Sequence, residues 1–140
     1  RDTHVLTIWE GTTNVLALDA LLRTDLHAGL AALLGRASAC RRNAKAPRLV
    51  AAAQQAVGAI ERAVLTLESM HDDTVLQAGA RRIALTLARA LQLTLLCEHA
   101  QWMLDNGGDR RGYAAALRFA RQPVDLMTEV DPEADRLLLG

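Results

Sequence analysis

Apolar residues recur along most of the chain at three- and four-residue steps, the spacing that lines one face of an α-helix. Val15, Leu18, Leu21 and Leu22 make the first such stripe. They predict a helix that begins at Thr12 or Thr13 and reaches Arg23, where Asp19 and Arg23 sit four apart and can pair. Leu26, Leu30, Leu33 and Leu34 make the next, with Asp25 as its N-cap. Lys45-Ala46-Pro47 breaks the pattern, and Pro47 suits the first turn of a third helix. There Val50, Ala53, Val57, Ile60, Val64 and Leu67 step 3-4-3-4-3, the sharpest periodicity in the sequence. This predicts packing along one narrow seam, with Glu61, Arg62 and Glu68 on a solvated face.

Met70-His71-Asp72-Asp73 reads as a turn whose aspartates can cap a fourth helix. From Ile83 to Leu95 apolar residues alternate with small or polar ones, which by itself suggests a strand. Length decides against it, because the Ala-rich run from Thr74 to Asp105 contains no proline and far exceeds a strand. Its nearly all-round apolarity predicts a central helix covered by neighbours. Asp105-Asn106-Gly107-Gly108 stops it. A short fifth helix is predicted from about Arg110 to Arg121, with Tyr113, Ala116, Leu117 and Ala120 on one side and Arg110, Arg111, Arg118 and Arg121 on others. Gln122-Pro123 ends it. Val124, Leu126, Met127 and the run Leu137-Leu138-Leu139 in the acidic tail predict that the tail docks, with no structure assigned from Asp131 to Asp135. The fold class is therefore all-α, a bundle of about five helices forming a single domain over 1–140, with 1–24 as motif and first helix and 25–140 as a helical extension.

Composition agrees with packed helices. Half of the residues are hydrophobic (51%), but there are only two Trp, one Tyr and one Phe, so the core must be built from Leu, Ala, Val and Ile. Sixteen basic and sixteen acidic residues cancel, which argues against global attachment to nucleic acid or an anionic membrane. Locally they separate. Arg36, Arg41, Arg42, Lys45 and Arg48 fall together without an acid, and Asp125, Glu129, Asp131, Glu133 and Asp135 gather near the end. The basic group fits the last turns of a helix, where cations complement the dipole, and it is also a candidate phosphate surface.

No uncharged apolar run reaches about 18 residues, and Arg1-Asp2-Thr3-His4 is not an apolar leader, so a membrane span and secretion are not expected. Cys40 and Cys97 are too few and too isolated for a disulfide framework, and a reducing cytoplasm is the expected setting. His4, His27, His71 and His99 lack partners at ligand spacing, so no metal is expected. Cys97, in an apolar helix, reads as a small buried side chain.

Candidate chemistry concentrates near the start, in Thr7-Ile8-Trp9-Glu10-Gly11-Thr12-Thr13-Asn14-Val15. Glu10 has two readings. Thr7 and Glu10 have the spacing of a capping box, with the carboxylate bonded back to its own backbone. Alternatively, Ile8 and Trp9 partly desolvate Glu10, raising its proton affinity toward the range of a general base. Gly11 leaves the carboxylate unobstructed on its C-terminal side, and Thr12 and Thr13 offer hydroxyls where a helix would start.

Ile8-Trp9-Glu10-Gly11-Thr12-Thr13-Asn14-Val15 resembles the Ile-(Tyr/Trp)-Glu-Gly-(Thr/Ser) signature near the C-terminal end of flavin-dependent acyl-CoA dehydrogenases. The resemblance implies that Glu10 is the base that takes the α-proton of an acyl-CoA thioester. It implies Gly11, Thr12 and Asn14 as FAD-binding residues, and Trp9 and Gly11 against the substrate. Asn14 and Leu16 stand where many members carry Gln, which alters the expected contacts to the far end of FAD. Trp9, Asn14, Leu18-Asp19 and Leu21-Leu22-Arg23, with the long continuation to Gly140, are similar to the adaptive-response (AidB-like) branch. That branch implies a helical C-terminal extension, a homo-oligomer (dimer or tetramer), and DNA as a possible partner of Arg36, Arg41, Arg42, Lys45 and Arg48. On this reading the chain is the C-terminal fragment of a longer protein and is inactive in isolation, its flavin pocket being completed by a missing N-terminal part.

Overall fold

The computed structural model describes residues 26–69 and 73–127, with side chains of 73–78 excluded. Four helices follow in order: α1 (Leu26–Asn43), α2 (Pro47–Ser69), α3 (Asp73–Asn106) and α4 (Arg111–Phe119). The described residues contain no strand, so length rightly outweighed the alternation between Ile83 and Leu95. The first predicted helix, 12–23, lies outside the described residues.

Local chemistry accounts for the boundaries. Pro47 opens α2, where its missing N–H costs nothing, and the Leu49 and Val50 amides donate to Ala46 O at 2.9 and 3.0 Å. The end of α3 is closed by Gly107 and Gly108, whose amides both donate to Met103 O at 3.1 Å. Gly108 takes φ +68, a left-handed conformation open to glycine at little cost. After α4, the Gln122 amide donates to Phe119 O at 2.9 Å and the chain turns toward Pro123.

The short connections fold α2 back between its neighbours, leaving α1 and α3 side by side and parallel: Arg36 faces Glu98, and Lys45 faces Asp105. The main core joins Ala37 and Cys40 of α1, Leu49, Ala53, Val57 and Ile60 of α2, Leu93, Cys97 and Ala100 of α3, and Ala116 of α4. A second cluster, Ala63, Ala80 and Ile83, is flanked by Leu26, Leu67 and Met127 at the other end. Among the described residues, no helix is long and apolar enough to cross a membrane.

Two packing expectations need correction. The buried surface of α2 is not one narrow seam. Ala53, Val57 and Ile60 are buried as predicted, but Leu49, Ala52, Ala56, Ala59 and Ala63 form a second buried row. Alanines are small enough to admit a helix on each side, and α2 lies between α1 and α3. Nor is α3 covered all round. Ile83, Thr86, Ala90, Leu93, Cys97 and Ala100 are buried, while Leu85, Leu95 and Trp102 are 37%, 40% and 62% exposed. Its described neighbours all lie on one side.

Close approach governs the junction of α3 and α4. A Cβ on buried Gly112 would lie 2.7 Å from Met103 Sδ and 3.4 Å from Ala100 Cα. The acidic tail docks as predicted as far as Met127, where Val124 is buried and the Leu126 amide donates to Thr86 Oγ1 at 3.0 Å; Leu137-Leu138-Leu139 lies outside the described residues. Arg62 is exposed, as its place off the α2 stripe predicted, yet it also pairs with Asp125.

Candidate functional site

The signature residues Trp9, Glu10, Gly11, Thr12 and Asn14 lie outside the described residues, as does the choice between a capping and a catalytic Glu10. The five candidate cations do lie within them. Arg41 and Arg42 occupy the last turn of α1, where positive charge is favoured. No acid adjoins the five in sequence, but folding supplies acids from α3. Arg36 donates to both Glu98 oxygens, Nε at 3.0 Å and Nη2 at 2.7 Å, and this pairing raises the guanidinium pKa further above its ordinary value. Lys45 Nζ donates to Asp105 Oδ1 at 2.8 Å, and its backbone N–H donates to Gln101 Oε1 at 2.9 Å. The hydrogen bond from Lys45, then that from Gln101, holds the Asp105 carboxyl below its ordinary range.

Lys45, Glu98, Gln101 and Asp105 line a groove of about 650 Å³ between α1 and α3, together with Arg42 and Trp102. Two buried thiols, Cys40 and Cys97, also line it. Cys40 Sγ donates to Thr94 O at 3.5 Å. Hydrogen bonding to Cys40, reinforced by burial, pushes the Cys97 thiol well up. A thiol held protonated is a poor nucleophile and metal ligand, so Cys97 behaves as the small core residue its sequence context predicted. His99 is exposed on the outer side of α3 and stacks on Trp102, with centroids 6.1 Å apart at 16°. Among the described residues, no three His, Cys, Asp or Glu side chains gather to hold a metal. The groove has the chemistry of a helix clamp: paired charges at its rim and packed sulfur in its wall.

Arg41 donates to Gln54 Oε1 of α2 at 2.7 Å. Arg48 stands apart from the other four. It lines a hollow of about 570 Å³ with Tyr113, Leu117, Arg118 and Arg121, so the structure divides the linear cluster. Arg118 and Arg121 were not candidates from sequence. The available signal was their three-residue spacing, which puts two cations on one side of a short helix and the turn after it.

Comparison with known proteins gives one family. Residues 30–135 match the family model described as Acyl-CoA dehydrogenase 11 C-terminal domain-like. Neither the curated proteins nor the solved structures yield a match. The matched span covers all four described helices almost completely and begins after the signature at 8–15. An all-helical bundle matched from within α1 to beyond α4 therefore places this chain in the acyl-CoA dehydrogenase 11 C-terminal domain-like family.

Proposed function

We propose that the chain is the C-terminal part of an FAD-dependent acyl-CoA dehydrogenase-like oxidoreductase. The supporting observation is the agreement of two non-overlapping stretches: the family match over 30–135 and the signature at Ile8 to Val15. Glu10 takes the α-proton of the acyl thioester, its basicity raised by Ile8 and Trp9 beside it. Bound FAD supplies the acceptor for the hydride leaving the β-carbon. Gly11, Thr12 and Asn14 hold one wall of that cofactor, and Trp9 and Gly11 meet the substrate. The α1–α3 groove is clamped by Arg36–Glu98 and Lys45–Asp105 and belongs to the helical extension, 25–140, rather than to the flavin pocket. The rest of the FAD pocket comes from an N-terminal part of the same protein, which acts in the cytoplasm as a homo-oligomer. The 140-residue chain alone is inactive.

The test is anaerobic addition of an acyl-CoA to the full-length protein. Flavin absorbance should bleach, and Glu10→Gln should abolish the bleaching. Normal bleaching by that variant removes Glu10 from the role.

A second reading is an adaptive-response (AidB-like) module whose basic residues contact DNA phosphates. It draws on Arg42 and Arg48, which have no carboxylate partner among the described residues. Pairing of Arg36 and Lys45 with acids weakens it, since those cations must first leave their partners. DNA retention should then fall steeply with salt and with neutralisation of Arg41 and Arg42. Retention unchanged by that neutralisation at low salt ends this reading.

A further inference from the structure

The geometry points to a binding site for a compact, multiply charged phosphate group, a phosphate monoester or pyrophosphate, in the hollow where the first turn of α2 meets the end of α4. This inference is independent of the dehydrogenase reading.

Three guanidinium groups from two elements share that hollow. Arg48 comes from the first turn of α2, and Arg118 and Arg121 come from the end of α4 and the turn after it. The Arg121 amide donates to Arg118 O at 3.3 Å, which keeps the two arginines on adjoining turns. A second hollow of about 190 Å³ shares Arg48, Leu117 and Arg121, so the depression continues along the seam between α2 and α4. Among the described residues, no carboxylate lines either part. Among the described residues, none of the three arginines has an ion-pair partner.

This arrangement differs from ordinary helix-end charge. Arg118 is favoured at the C-terminal end of α4, but Arg48 sits at the positive end of the α2 dipole, where a cation is disfavoured. Elsewhere in the bundle Arg36 and Lys45 each have a carboxylate on a neighbouring helix, and Arg62 has one on the tail. Here three cationic residues line one hollow without a carboxylate among the described residues, and a multiply charged anion relieves both their mutual repulsion and the opposition to the dipole. Guanidinium forks match phosphate oxygens in planar, paired hydrogen bonds. Leu117 and Tyr113 give the hollow an apolar wall, and its volume lies in the range of small-molecule sites, roughly 300–1,000 Å³.

Among the described residues, the chain's own acids lie outside the lining of this hollow. The described part of the tail runs from Val124 to Met127, with Asp125 held by Arg62 and Met127 packed against the Ala63, Ala80 and Ile83 cluster. Arg48 and Arg62 are fourteen residues apart on α2, about 21 Å along the axis. That all three arginines line a single hollow also favours a small phosphate over a nucleic-acid backbone. A backbone needs cations along a track, and Arg36 and Lys45, which would extend one, face Glu98 and Asp105.

The test titrates the 140-residue chain with sodium pyrophosphate at low ionic strength, following amide resonances and heat. Saturable binding is expected, with shifts confined to the first turn of α2 and residues 113–122. Arg48→Gln, Arg118→Gln and Arg121→Gln should each weaken it about tenfold, while Arg82→Gln, a charge-matched change on exposed α3 surface, should leave it intact. Circular dichroism checks that each variant keeps its helices. Absence of saturable binding, equal weakening by Arg82→Gln, or tighter binding of a DNA duplex at equal phosphate concentration overturns the proposal.

Discussion

Leu93 and Leu95 share a helix, a residue type and almost the same stretch of chain, yet Leu93 is wholly buried and Leu95 is 40% exposed. The inner side of α3 carries Ile83, Thr86, Ala90, Leu93, Cys97 and Ala100, all inaccessible to solvent. The outer side carries Leu85, Ala88, Gln92, Leu95, His99 and Trp102, stepping 3-4-3-4-3 and all exposed. The outer side is the more polar on average, since it carries Gln92 and His99, but the two leucines are chemically alike. Their difference comes from where α1, α2 and α4 sit, and it teaches that burial in this bundle belongs to the arrangement of helices rather than to the residue.

The strongest way to break that contrast is Leu93→Ala, which leaves a cavity against α2 and should cost about 2–5 kcal/mol by denaturant unfolding. Gly112→Val comes next. It forces side-chain atoms toward Met103 and Ala100 and should cost about 1–3 kcal/mol, read as an earlier melting transition. Thr86→Val keeps the shape but deprives the Leu126 amide of its acceptor, costing about 1–2 kcal/mol. Faster proteolysis beyond Val124 should accompany it. Leu95→Ala should change stability by under about 0.5 kcal/mol. A loss from Leu95→Ala equal to that from Leu93→Ala would erase the distinction between the two sides.

The smallest effect is electrostatic. Lys45 holds the Asp105 carboxyl below its ordinary value, so the folded state binds this proton less readily than the unfolded chain. The pair's contribution is therefore present above about pH 4 and is lost as pH falls through the depressed value. Being exposed, the contribution is slight, and a melting profile from pH 6 to pH 2 should flatten in Lys45→Gln.

Much of the fold was legible because local rules dominate it. Pro47 opens α2, Gly107 and Gly108 close α3, and Val124 with Leu126 dock the tail, each for reasons visible within a few residues. What escaped was relational. Alanines such as Ala52, Ala56 and Ala59 look neutral in sequence but become core when a helix packs on either side. Arg36 finds Glu98 sixty-two positions away, and Lys45 finds Asp105 sixty positions away, so a cluster that seems unbalanced in the chain is partly balanced in space. Arg48 joins Arg118 and Arg121 for the same reason, over a separation no local pattern reveals. For the chemical site, sequence offers the signature around Glu10, and its discrimination rests on the flavin experiment.

The hydrogen bond from the Leu126 amide to Thr86 has a practical consequence. It pins the tail beside the longest helix, so a reporter domain fused after Met127 would leave from a defined anchorage. Distances measured from that anchorage to a label on α1 would gauge how rigidly the bundle holds its geometry.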